Sequence, residues 1–226
     1  MKIGLCMRSY DGHTPHPDIS DRVLAMAKLC DELGHHVEEA EWRINADHLR
    51  RSFVVNWESA AAAIVRRTED ALGCYPGTAV LEPWTLGLAE RFFCEHVNEL
   101  GAAQRYFVEA ADEFRRMFAP YDALLCPVTP DLQPLLGAVS PDRPFDELEA
   151  TAFRHCAYTL PANVFGCPAV SIPSGFSQDG ILPIGSQFFA DVGREDVLLH
   201  LAYEIEEAAP WKRLPSLTMS LMGLAV

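Results

Sequence analysis

The first forty residues constrain the fold more than any other part of the chain. They open on an apolar run, "KIGLCM", pass through "HPDISDRVLAMAKLCDELGHH", and return as "HHVEEAE". In the middle segment Ile19, Val23, Ala27, Cys30 and Leu33 fall on one helical face. Pro17 suits a first helical turn, where its missing N–H would have no partner anyway, and Gly34 supplies a stop. Asp18 and Asp21 favour the positive end of the helix dipole. Strand, helix, strand is a βαβ unit, and strands joined that way run parallel and are buried on both sides. The expectation is an α/β fold: a mixed, largely buried sheet flanked by helices.

Two helical tracts follow. Phe53, Trp57, Ala60 and Ile64 recur at helical spacing in the first. The second reads as one run from Thr85 to Ala119, carrying Leu88, Phe92, Leu100, Phe107, Ala111, Phe114 and Phe118. Turn-forming residues in "GCYPGTAVLEP" separate the two, and Pro120 ends the second. "YDALLCP" then reads as a strand. Pro127 and Pro130 open a polar, proline-rich stretch to about Glu147, long enough to suggest a functional loop. "TAFRHCAYTLPANVFG" reads as a helix that breaks near Pro161. "PAVSIPSGF", "SQDG" and "LPIGSQFFA" form a hairpin. A last helix, "REDVLLHLAYEIEEAAP", turns Leu198, Leu201, Ile205 and Ala208 inward and stops at Pro210.

Composition excludes several classes of function. The net charge is −14, and the arginine pairs at 50–51, 66–67 and 115–116 are isolated on expected helices, so nucleic acid and anionic membranes are poor partners. No run reaches the ~18 apolar residues that a bilayer span needs. Seven scattered cysteines with no CxxC indicate free thiols and a reducing cytoplasm, without a zinc site. No Gly-rich phosphate loop follows any strand. No cofactor and no metal are therefore expected; His13 with His16, on a loop beside Asp11 and Asp18, is the best of the weak metal pairs, with His35–His36 behind it.

The candidate nucleophiles are thin. Ser174 lies between Pro173 and Gly175 and lacks the GxSxG frame of a nucleophile elbow, so it reads as a structural residue at a strand end. A Ser-Lys mechanism needs a lysine whose amine can be neutral, and Lys2, Lys28 and Lys212 all look exposed. Cys126 ends an expected central strand, where sites of open α/β sheets gather, although buried structural cysteine is the commoner outcome.

"PANVFGCPAVSIPSGFSQDGILPIGSQFFA", followed by "EDVLLHLAYEIEEAAPW", resembles the C-terminal end of the amidase signature family. The pattern N-x-x-G-x-P-A-x-S-x-P-x-G is met by Asn163, Gly166, Pro168, Ala169, Ser171, Pro173 and Gly175. Asp179, Gly180, Pro183, Gly185 and Gln187 meet D-G-x-P-x-G-x-Q with one extra residue. "YDALLCPVTP" and the first forty residues fit the family's preceding strand and mid-chain βαβ stretch, so the resemblance reaches to about Pro215. The flavour is nearest to bacterial amidases similar to 6-aminohexanoate cyclic-dimer hydrolases.

The resemblance implies hydrolysis of carbon–nitrogen bonds in a small amide, by a lysine and two serines of the family's N-terminal half. None of these has a match here, so no catalytic residue is assigned. Residues 1–215 are expected to be the C-terminal portion of an amidase domain, supplying sheet and acyl-pocket wall, with 216–226 an apolar tail. Cys126, Thr129 and the loop to Glu147 are the expected substrate contacts. The expected partner is an N-terminal amidase half or a second copy of the chain. The alternative is a non-catalytic binding or scaffold domain that keeps the fold, and an independent hydrolase using Cys126 or Ser174 ranks last.

Overall fold

A computed structural model describes residues 1–143 and 145–211. Lys212, Pro215 and the expected tail at 216–226 lie outside the described residues. Five strands form one sheet in the order β2-β1-β3-β5-β4: β1 (Lys2–Leu5), β2 (His36–Glu39), β3 (Ala123–Pro127), β4 (Ala169–Phe176) and β5 (Pro183–Phe189). β1 pairs in parallel with β2 and β3, and β5 runs antiparallel to both β3 and β4. The sheet is mixed, as expected.

The crossover helix α1 (Pro17–Glu32) begins where Pro17 fits its first turn and the His16 Nδ1 accepts the backbone N–H of Asp18 at 3.2 Å. Its face of Ile19, Val23, Met26, Ala27 and Cys30 packs on one side of the sheet, beside α7 (Glu195–Ala208), which contributes Val197, Leu198, Leu201 and Ile205. A fully buried Val, Leu or Ile of this kind is worth roughly 1.5–3 kcal/mol over its exposed state. The opposite side of the sheet, through Leu124, Cys126 and Phe189, is covered by α4 (Leu100–Phe118) and α6 (Leu160–Phe165). Helices on both faces leave β3 entirely buried.

A third cluster joins α2 (Ala46–Leu72) to α3 (Pro83–Arg91) and α4. The expected single helix from Thr85 to Ala119 is two, because Phe92–His96 form a turn of π-helix between them. Residues five apart lie far round an α-helix but nearly in line on the wider π turn. That brings Arg91 and His96 together onto Glu58, whose carboxylate has no exposure. Arg91 donates through Nε, and His96 Nδ1 lies 2.6 Å from the other oxygen.

The helix expected to break near Pro161 is also two elements. α5 (Phe145–His155) ends in a turn over Cys156–Thr159, and Pro161 sits in the first turn of α6, where a missing N–H costs nothing. α5 begins two residues before Glu147, so the loop after β3 is correspondingly shorter. The hairpin β4–β5 stands as expected, with one difference: Pro173 pairs with Gly185 and Gly175 with Ile184, leaving Ser174 as the extra residue of a bulge inside β4 rather than at a strand end.

Candidate functional site

The chain leaves β1 for β2 on one side and returns through α2–α4 to β3 on the other. The crevice beyond the carboxyl ends of β1 and β3 is thus the point where the winding changes direction, the usual ligand position in an open α/β sheet. On the β5 side of that point, at the carboxyl end of β3, the loop after β3, the end of α5, the middle of β4 and the start of β5 line an open cavity of about 200 Å³. Thr129, Asp131, His155, Ser171 and Gly185 are among its lining residues.

Asp131 anchors this region. Its carboxylate accepts from Arg154 through Nε and through Nη2 at 2.7 Å, and Arg154 Nη1 also reaches His13 Nδ1 at 3.3 Å. The hydrogen-bonded guanidinium holds the Asp131 carboxyl below the usual aspartate range, against a smaller upward push from burial. Arg154 therefore ties α5 to the loops after β1 and β3 in one contact.

Thr129, expected as a substrate contact, is half-buried on the cavity wall, and its hydroxyl donates to the Asp131 carbonyl at 2.9 Å. Cys126 is elsewhere. It has no exposed atom and lies behind the wall among Leu124, Phe189 and α4. Burial pushes its thiol well above the usual value, only partly offset by a contact from Gln187 Nε2 at 3.5 Å. The same Gln187 nitrogen lies 3.2 Å from the Tyr158 carbonyl, so the glutamine braces β5 to the turn between α5 and α6. Asp131, Arg154 and His155 were not singled out from the sequence as contacts. Asp131 stands two residues beyond Thr129 in the flagged loop, a signal that could have found it; the charge of α5 gave none.

No described hydroxyl or thiol is set up as a nucleophile. The Ser174 hydroxyl lies 3.2 Å from the Ile184 carbonyl and accepts from Ser186 at 3.1 Å, with no base in reach. His155 Nδ1 is 2.8 Å from the Thr151 carbonyl, while its Nε2 is buried without a hydrogen-bond partner. Ser9, Asp11 and His13 do meet, but Ser9 Oγ bonds Asp11 and accepts the His13 backbone N–H at 2.8 Å. That is a loop brace, not a serine activated by imidazole. Lys2 and Lys28 pair with Glu38 and Glu32 at the surface. Among the described residues no group of three His, Cys, Asp or Glu is placed to hold a metal. His16 is occupied in capping α1, His13 faces the cationic Arg154, and His35 and His36 turn to different carboxylates, Glu204 and Glu38. No helix among the described residues is long and apolar enough to cross a membrane.

Comparison with known proteins agrees with this architecture. The Amidase family profile matches residues 1–199. The chain is 34% identical over 198 residues to the putative amidase AmiC of Mycobacterium leprae, covering 88% of this chain and 42% of that protein. Over 215 residues it is 31% identical to the 6-aminohexanoate-cyclic-dimer hydrolase of Paenarthrobacter ureafaciens, covering 86% and 41%. The solved structure of 6-aminohexanoate cyclic dimer hydrolase complexed with substrate superposes with a TM-score of 0.81 at 26% identity, covering 95% of this chain and 46% of that one. The chain belongs to the amidase family. It spans less than half the length of the curated relatives it matches, corresponding to their C-terminal portion.

Proposed function

We propose that residues 1–215 act as the C-terminal portion of an amidase that hydrolyses the carbon–nitrogen bond of a small amide, with the catalytic groups supplied by the N-terminal portion of such an enzyme. The observation that carries this reading is a cavity at the carboxyl end of β3, in a family fold, without a nucleophile–base pair among its described walls. In this reading the chain supplies the sheet and one wall of the acyl pocket. Thr129 contacts substrate: with its proton given to the Asp131 carbonyl, its oxygen offers lone pairs toward the cavity. Cys126 acts from behind by filling the space beneath that wall. The seven thiols, all free, suit a reducing cytoplasm.

The test of Thr129 is its replacement by valine in the completed two-part enzyme. Loss of one hydrogen bond to substrate is expected to raise KM for a small amide several-fold, about 1 kcal/mol, with the fold unchanged by circular dichroism. Unchanged kcat and KM for every amide tried would remove Thr129 from the pocket.

A further inference from the structure

A second cavity lies beyond the carboxyl ends of β1 and β2, where the loop after β1 meets the segment after β2. Its volume is about 520 Å³, within the range of small-ligand sites. Open α/β sheets bind ligands beyond the carboxyl ends of their strands. None of the residues that line the Thr129 cavity lines this one.

Much of the lining is apolar. Leu5, at the end of β1, and Met7, just beyond it, pack on the edge of the core under α1. Leu24 of α1 adds to the lining and is left 51% exposed. Trp42 forms another wall. Its indole N–H donates to the Arg8 carbonyl at 2.7 Å and its ring stacks on Phe114, so this wall is fixed without a ligand.

Three charged residues border the same space: Arg8 from the loop after β1, Glu39 at the end of β2 and Glu41 beyond it. Among the described residues, none of the three makes a side-chain hydrogen bond or an ion pair. On the same two strands opposite charges do pair, Lys2 with Glu38 at 2.9 Å. A cation and two carboxylates thus share one cavity without neutralising each other. That combination selects a class of ligand. An anion would meet Arg8 but also two carboxylates, and a cation would meet the carboxylates but also Arg8. A molecule carrying both charges satisfies both, through charge-assisted hydrogen bonds. The apolar lining adds a third requirement, an uncharged alkyl or aryl group that it can bury.

We propose that the cavity beyond β1 and β2 binds an amino acid zwitterion with an apolar side chain. The carboxylate meets Arg8, the ammonium meets Glu39 and Glu41, and the side chain lies over Leu5, Met7 and Trp42. The site is separate from the Thr129 cavity and does not depend on the chain's part in amide hydrolysis.

The test is calorimetric titration of the full chain with L-leucine and L-phenylalanine, each beside its analogue lacking the amine and its analogue lacking the carboxylate. Saturable one-to-one binding of at least one amino acid is expected, with both of its analogues at least about tenfold weaker, as loss of a charge-assisted hydrogen bond predicts. Arg8→Gln should weaken the amino acid at least about tenfold and spare the analogue that has only the amine. Glu39→Gln with Glu41→Gln should weaken the amino acid and spare the analogue that has only the carboxylate. All three side chains are exposed and unpaired, so circular dichroism should not change. No binding of either amino acid up to about 10 mM overturns the site. So does an analogue that binds as tightly as its amino acid, or binding indifferent to these variants. Binding that Thr129→Val removes and Arg8→Gln leaves intact places the ligand in the other cavity and overturns the assignment.

Discussion

Arg154, near the end of α5, grips both carboxylate oxygens of Asp131, four residues beyond the end of β3. The contact fixes a helix to a loop that has no strand pairing of its own, and it does so at the lip of the cavity. Both side chains keep about two fifths of their surface in water, so the pair sets position more than it adds stability. Asp131→Asn should therefore cost about 1 kcal/mol or less in urea unfolding, while exposing the 132–143 loop to protease. An unchanged digestion pattern would show that the pair does not hold the loop.

The acid behaviour of this region follows from the same contacts. Asp131 and Glu149 both have their folded pKa lowered, chiefly by hydrogen bonds from Arg154 and Arg91. A lowered folded pKa gives stability that is fully present above the unfolded value, about 4 for such carboxyls. It is lost as the pH falls through the still lower folded value. The wild type should thus hold its stability at pH 5 to 7 and lose it steeply below about 4. Glu149→Gln should flatten the acid limb. A loss of stability centred near neutral pH would contradict this.

Glu58 is the buried charge with most at stake. It has no exposure and is held by Arg91 and His96, while Arg91 also binds Glu149 at 2.7 and 3.0 Å. Arg91→Met leaves the buried carboxylate with His96 alone and should cost about 3–5 kcal/mol. Glu58→Gln keeps the shape and should cost clearly less. Equal small losses, below about 1 kcal/mol, would mean that the network carries no weight.

Thiol chemistry separates Cys126 from a reactive nucleophile. Cys74 and Cys94 are exposed, whereas Cys126 is wholly buried with its thiol held protonated. Alkylation under native conditions should mark Cys74 and Cys94 first and reach Cys126 only on unfolding. Early labelling of Cys126 would place it at an accessible surface after all.

Much of this architecture was legible because local signals and burial agree. β3 is apolar throughout and lies between two helical layers, and α1 shows its buried face at simple helical spacing. The Ser174 bulge was not legible, since an extra residue in one strand is defined only against its partner. The π turn at Phe92–His96 was hidden for a similar reason: its stabilising contact, Glu58, lies on another helix. Of the site, Thr129 could be picked out because it follows a buried strand. Cys126 shares that position in sequence, but its side chain packs beneath α4 and not into the cavity.

The most direct measurement is hydrolysis of a panel of aryl and aliphatic amides by the purified chain, alone and with an added N-terminal amidase portion, with Ser174→Ala and Cys126→Ala in parallel. No turnover by the chain alone, turnover on addition of the second portion, and retention of that turnover in both variants are expected. Turnover by the chain alone that either substitution abolishes would contradict the account, because the nucleophile would then reside in this chain.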